Sequence, residues 1–264
     1  MSNNKKISAV GMGVPATDNE NLSDNIISDT RKKIKTPLKV LIACEESQRV
    51  CTAFRELGHE AYSCDIQKPS GGHPEWHILD DVLHIINPNS YCGTISFTTM
   101  DGRNHWTHGK WNLIIAHPPC TYLSAAGAVR LYDKNHKIKD MDRYNKGLKA
   151  MTFFYSLMSA ECENIAVENP VPLKIFCLPH YSQIIQPYQF GEPWQKRTCL
   201  WLKGLPELQP TNIVEPQGYW IGAHGKDKAP HGMSKGFRNQ KMRSKTFQGI
   251  AKAMAEQWGG FCNA

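Results

Sequence analysis

A cysteine and a glutamate carry the chemistry this chain could perform. The apolar run Trp111–Ala116 ends in His117-Pro118-Pro119-Cys120-Thr121-Tyr122-Leu123-Ser124, and a later run, Asn164–Val167, ends in Glu168-Asn169-Pro170. Each run has the length of a buried strand, so each is expected to deliver its reactive side chain just beyond the strand's carboxyl end. That is where open α/β sheets bind ligands. Two adjacent prolines fix φ and remove two backbone donors, so the Cys120 loop should be stiff and continue neither a ladder nor a helix. Ser124-Ala125-Ala126-Gly127 can open a helix whose amino-terminal dipole would lower the pKa of a nearby thiol. A thiolate facing a carboxyl group could add to an electrophilic ring while the acid supplies a proton or a hydrogen bond.

The elements that must hold these groups read as alternating strands and helices. Leu38–Ala43 is a buried strand, and Ser47–Leu57 has the Val50, Phe54 and Leu57 spacing of an amphipathic helix stopped by Gly58. Glu60–Asp65 is a second strand ending in an acid, the arrangement by which doubly wound folds hold a ribose hydroxyl pair, although the glycine-rich turn that accompanies it is missing. His77–Ile86 is a short apolar stretch holding Asp80 and Asp81. Arg143–Met158 is a helix, Lys196–Leu202 a strand, and Lys245–Trp258 a final helix ended by Gly259-Gly260. The pattern predicts an α/β fold, doubly wound, with a mostly parallel Rossmann-like sheet and flanking helices. Residues 1–36, poor in large apolar side chains, read as a flexible leader, and 37–264 as a single domain in which 203–245 is a short basic insert.

Of the 264 residues, 41% are hydrophobic, enough for a sizeable core, and no run reaches the roughly 18 apolar residues of a membrane span. No signal-like apolar stretch follows the start, so a cytoplasmic protein without a membrane partner is expected. The nine cysteines are an odd number without a disulfide-scaffold spacing and read as reduced thiols. With no Cys-x-x-Cys, no metal site is expected, and His73 and His77 flank a turn at Pro74. The formal net charge of +7 favours a polyanionic partner. Lys226, Lys228, Lys235, Arg238, Lys241, Arg243 and Lys245 stand against the single Asp227, in a glycine-bearing segment suited either to phosphate contact or to a solvated surface loop. The tryptophans read as core or edge residues, with base stacking left open for Trp106 and Trp220.

In their order along the chain these motifs resemble those of the DNA cytosine-5 methyltransferases. The matching stretches are Pro119-Cys120 with Ser124, then Glu168-Asn169-Pro170, then Gln195-Lys196-Arg197-Thr198-Cys199-Leu200-Trp201-Leu202. The likeness spans most of residues 38–258 and extends to short methylase-like proteins of bacteriophages, which share Cys44-Glu45-Glu46-Ser47-Gln48 and the stretch Thr246–Trp258. It implies a methyltransferase using S-adenosyl-L-methionine. Cys120 would attack C6 of cytosine, Glu168 would hold N3 and the exocyclic amine, and Arg197 would hold Glu168 and the base or a phosphate. Ala43, Cys44, Glu45 and Ser47 would line the methionine end of the cofactor. Asp65 would bond its ribose, with Ile66 and Pro118 flanking, and Asp80 or Asp81 would face the adenine edge. Ser124, Lys235, Arg238, Lys241 and Arg243 would touch DNA, double-stranded with the target base flipped out at a cost of a few kcal/mol.

The chain departs from the family in three places. Ile42-Ala43-Cys44-Glu45-Glu46-Ser47 replaces Phe-x-Gly-x-Gly-Gly, one arginine replaces an Arg-x-Arg pair, and the insert is too short for the usual recognition domain, which a partner subunit could supply. Three other readings stay open. A free pyrimidine nucleotide or RNA base could be the substrate, an amino methyltransferase could use the Pro-Pro loop, or a methylase-derived DNA-binding protein could have lost activity. A bacteriophage-type source would place the protein in its host's cytoplasm.

Overall fold

The computed structural model describes Met1, 36–219 and 244–262. Residues 2–35 of the expected leader lie outside the described residues, as do Trp220 and, within the basic insert, Lys235, Arg238, Lys241 and Arg243. In strand β1 (Lys39–Ala43), Val40 and Ile42 enter one apolar cluster while Leu41 and Ala43 enter another. Strand β6 (Leu113–Ala116) divides in the same way, Leu113 and Ile115 against Ile114 and Ala116. Strands apolar on both faces need cover on both sides. Helices α1 (Arg49–Glu56) and α4 (Gln248–Phe261) cover one face, through Val50, Phe54, Ile250 and Met254. Helix α3 (Met141–Met158) covers the other through Phe154 and Leu157.

The remaining strands are β2 (Glu60–Asp65), β3 (His77–Leu79), β4 (Thr94–Thr98), β5 (Asn104–His108), β7 (Ile165–Pro170), β8 (Gln183–Ile185), β9 (Trp194–Gln195), β10 (Thr198–Lys203) and β11 (Gly218–Tyr219). Seven of them form one sheet in the order β3-β2-β1-β6-β7-β10-β8. Pairing is parallel from β3 to β7, and β10 runs antiparallel to both its neighbours. The fold is therefore α/β and Rossmann-like. The chain builds outward from β1 to β3, then returns to add β6 and β7 on the other side. The topological switch thus falls between β1 and β6, and a crevice is expected at their carboxyl ends.

Three expectations need correction. Strand β7 does not stop at Val167: β10 pairs Leu200 with Glu168, Cys199 with Asn169 and Thr198 with Pro170, so Glu168 lies within the strand. Helix α4 is not ended by Gly259-Gly260 but runs to Phe261. A Cβ on Gly259 would stand 2.6 Å from His59 Nε2, so this glycine allows α4 to approach His59, in the turn after α1, closely. The helix expected to open at Ser124 is a single 3₁₀ turn, Ala125–Gly127, followed by the four-residue α2 (Ala128–Leu131). A pair of turns this short sums few peptide dipoles.

The β4–β5 hairpin is a separate antiparallel pair, not foreseen from the sequence. Phe97 and His105 stack on each other and meet Tyr62, and Phe97 also meets Trp111, while Trp106 on the same hairpin is 70% exposed. Among the described residues no helix is long and apolar enough to cross a membrane.

Candidate functional site

The turn from β1 into α1 is made without glycine. Cys44, at the position of the family motif's first glycine, has φ of 59°, and Gln48 has φ of 57°. The left-handed conformation costs an ordinary residue about 1–2 kcal/mol, so the turn carries backbone strain at both positions. What compensates is side-chain bonding. The Glu45 carboxylate accepts from the backbone N–H groups of Val50 (2.7 Å) and Cys51 (3.2 Å), and the Ser47 hydroxyl lies 3.4 Å from it. Gln48 donates to the His73 carbonyl (2.8 Å) and accepts from the His73 N–H (3.1 Å). Dinucleotide-binding folds present this helix terminus to a diphosphate. Here the chain's own Glu45 fills it, and burial pushes its pKa up against the opposing influence of His117 and the two N–H groups.

The other residues expected along the crevice divide. Asp65 is half-buried at the end of β2 and accepts from Gln67 N–H (2.8 Å); burial raises its pKa, and Glu46 adds to the rise. Ile66 is exposed. Asp80 accepts from the Asp81 N–H (2.7 Å) and from His84 Nδ1 (2.9 Å), and Asp81 caps the 3₁₀ turn Val82–His84 through Leu83 N–H. Glu46, adjacent to Glu45, is buried, and neither carboxylate oxygen has a hydrogen-bond partner among the described residues.

The loop from Pro118 to Ser124 is held from three sides. Asn169 Nδ2 donates to the buried Pro118's carbonyl (3.2 Å), tying the loop to β7. The backbone bonds Leu173 N–H to Leu123 C=O (2.7 Å) and Ala125 N–H to Val171 C=O (2.8 Å) join it to the segment after β7. From α3, the buried Arg143 donates to the Thr121 carbonyl (2.6 Å) and lies 5.2 Å from the Tyr122 ring centre. Ser124 takes up its own hydroxyl as a cap, accepting from Ala126 N–H (3.2 Å). Cys120 is exposed at the tip. Burial pushes the thiols of Cys44, Cys51, Cys64 and Cys199 up, Cys64 to about 12 and Cys199 to about 11, which leaves them protonated at neutral pH. Of the exposed cysteines, Cys92, Cys120 and Cys177, only Cys120 follows directly from a strand of the large sheet.

Glu168 meets His117: Nδ1 donates to Oε2 at 3.1 Å, with the two side chains 8% and 14% exposed. Register explains the pair, because Ala116 lies opposite Val167 and the next residue on each parallel strand falls on the same face. Burial works to raise the pKa of Glu168, but the Lys196 charge and the His117 hydrogen bond outweigh it and hold the carboxyl below its ordinary value. The cation acting on Glu168 is therefore Lys196, not the expected Arg197, which is exposed and acts on Cys199 instead. The reason is the two-residue period of the chain entering β10. Leu200 lies opposite Glu168, so Lys196 shares its face and Arg197 faces the other way.

The structure thus brings Glu168, Asn169, Pro118 and the Cys120 loop together at one end of the sheet, and sets Asp65, Cys44 and Glu46 beside β1. It leaves Arg197, Ile66 and Asp80 on the periphery. Sequence reasoning missed His117, Lys196, Arg143 and Glu46. Register and strand alternation could have found the first two; Arg143 and Glu46 carry no local signal. No protein-family model matches the chain, and no curated protein matches it.

Proposed function

We propose that this protein transfers a methyl group from S-adenosyl-L-methionine to C5 of cytosine in DNA through a covalent Cys120–C6 adduct. The observation that carries the reading is the Asn169–Pro118 tether, by which the strand bearing Glu168 also fixes the loop bearing Cys120. A nucleophile and an ionised carboxylate held by one piece of chain suit a reaction in which both must meet one planar ring.

The residues divide the work as follows. The Cys120 thiolate adds to C6, with the Arg143 guanidinium beneath Thr121 supplying positive charge near the loop. Glu168, ionised and oriented by His117 and Lys196, accepts from the exocyclic amine and, once N3 takes a proton from solvent as charge builds on the ring, from N3–H as well. When bound, the cofactor supplies an electrophilic methyl group for C5. Once C5 carries the methyl group and S-adenosylhomocysteine is left, solvent water takes the C5 proton and N3 returns its proton to solvent, which restores the C5–C6 double bond, breaks the S–C6 bond and returns the thiolate. Asp65 suits the ribose hydroxyls of the cofactor. Glu45 disfavours a diphosphate-bearing one, because its carboxylate already caps the N–H groups that such a ligand would need. Lys235, Arg238, Lys241 and Arg243 are proposed to contact phosphates.

The short insert favours one second reading, the same chemistry on a free pyrimidine nucleotide or an RNA base. Incubation with tritiated S-adenosylmethionine and separate DNA, RNA and nucleotide pools, followed by nucleoside analysis, tests both. The expected product is 5-methyldeoxycytidine from DNA with the wild type and none with Cys120→Ala, whose melting temperature should stay unchanged because Cys120 is exposed. Label in nucleotides or RNA alone would select the second reading. Absence of transfer to any pool by folded protein would overturn both and leave a methylase-derived binding protein. Covalent capture on 5-fluorocytosine DNA excludes an amino methyltransferase.

A further inference from the structure

Glu46 is 9% exposed, and both its carboxylate oxygens are buried without a hydrogen-bond partner among the described residues. A buried carboxylate is ordinarily paired or hydrogen-bonded. Its surroundings add acid rather than base, since Glu46 acts on Asp65 and on His77. His77 is held neutral: Nε2 donates to the Gln67 carbonyl (3.0 Å), Nδ1 faces the Ser63 hydroxyl (2.9 Å), and burial lowers its pKa. Nearby cations are engaged elsewhere. Arg49 donates to the Thr246 carbonyl (2.6 Å) and Lys245 to the Ser70 hydroxyl (2.9 Å). Even the backbone of Glu46 is committed, its carbonyl accepting from Ser70 N–H (2.7 Å).

The position also singles this group out. Glu46 stands where the methyltransferase motif has a glycine, on the strained turn that starts at Cys44, at the carboxyl end of β1 beside the topological switch. The side chain of its neighbour Glu45 caps α1, whereas the Glu46 carboxylate has no hydrogen-bond partner among the described residues and acts on Asp65.

We propose that Glu46 is the acceptor for the ammonium group on the amino-acid portion of the bound cofactor, with Asp65 beside it on the ribose. Resting on the methyltransferase reading, this makes Glu46 a specificity-determining residue that selects adenosyl ligands carrying an amino acid over those without one. The chain would thereby replace a glycine that permits close backbone approach with a carboxylate that forms an ion pair.

Calorimetric titration of the whole protein with S-adenosylmethionine, S-adenosylhomocysteine and 5′-methylthioadenosine tests this without catalysis. The last compound keeps the nucleoside and lacks the amino acid. The wild type should bind the first two at least tenfold more tightly than the third. Glu46→Gln should erase that preference, leave 5′-methylthioadenosine binding unchanged, and leave the melting temperature of the ligand-free protein no lower, because the side chain has no partner among the described residues to lose. Equal binding of all three by the wild type overturns the inference while leaving the cofactor assignment intact, and needs no variant. A Glu46→Gln protein that keeps the preference and melts lower when ligand-free also overturns it, because Glu46 would then serve a partner within the chain. If the wild type binds none of the three, the methyltransferase reading falls and this inference with it.

Discussion

Glu45 follows β1 and Glu168 lies on β7, and both are within the influence of His117, yet their acidities move in opposite directions. Burial dominates at Glu45 and raises its pKa, although two backbone N–H groups and His117 oppose the rise. Burial also works to raise Glu168, but there the Lys196 charge and a direct His117 hydrogen bond reverse the balance. A cation from the entry to β10 and one hydrogen bond thus distinguish the carboxyl held below its ordinary value from the one that caps a helix. The two regions also hold their geometry differently. The β1–α1 turn is bonded by its own Glu45 and Gln48 side chains, whereas the Cys120 loop is held by side chains from β7 and α3, Asn169 and Arg143, and by backbone bonds to the segment after β7.

Removing that charge should break the contrast most strongly. Lys196→Met is expected to raise the Glu168 pKa toward that of a buried acid and to cost about 2–3 kcal/mol of stability, less than a fully buried pair because Lys196 is only half-buried. Urea unfolding measures the loss, and the proposed transfer should fall at least tenfold with its acidic limb shifted to higher pH. An unchanged pH profile would show that Lys196 does not govern Glu168.

A smaller effect sharpens the comparison through pH alone. Because the folded pKa of Glu45 lies above its unfolded value, the unfolded chain ionises first, and this group makes stability fall as pH rises between the two values. Glu168 has the reverse sign: its contribution is present above the unfolded carboxylate pKa and is lost as pH falls through the lower folded value. Glu45→Gln should therefore flatten the decline on the rising side, measured by melting across mildly acidic to neutral pH, and leave the acid limb in place. The smallest change is expected for Cys44→Gly. Release of left-handed strain is offset by the greater freedom of glycine in the unfolded chain, so a net gain of about 0.5 kcal/mol is expected. A loss instead would mean that the Cys44 side chain contributes packing beyond its backbone strain.

Much of the sheet was legible because its central strands are continuous apolar runs ended by polar or turn residues, as at Leu113–Ala116 and residues 40–43. What escaped was set by partners rather than by local sequence. Pairing with β10 carries β7 on to Pro170, His59 gives Gly259 a packing role inside a helix, and β5 puts the polar Thr107 inward and the apolar Trp106 outward, against the usual alternation. The site follows the same rule. Cys120 and Glu168 were visible as strand-end chemistry, whereas the His117–Glu168 contact needs the register of two strands and the choice of Lys196 over Arg197 needs the parity of a third. Glu46 looked like its neighbour until burial and bonding told them apart.

The backbone bonds at Leu123 and Ala125 give the Cys120 loop an unusual cooperativity. A surface loop ordinarily opens by itself, at little free-energy cost. Here, for the loop to come away, the segment from Val171 to Leu173 must release it, and that segment continues directly from β7 in the middle of the sheet. The amides of Ala125 and Leu173 should consequently exchange with solvent on the timescale of the central strands, so that the exposed thiol rides on one of the slowest-opening parts of the molecule.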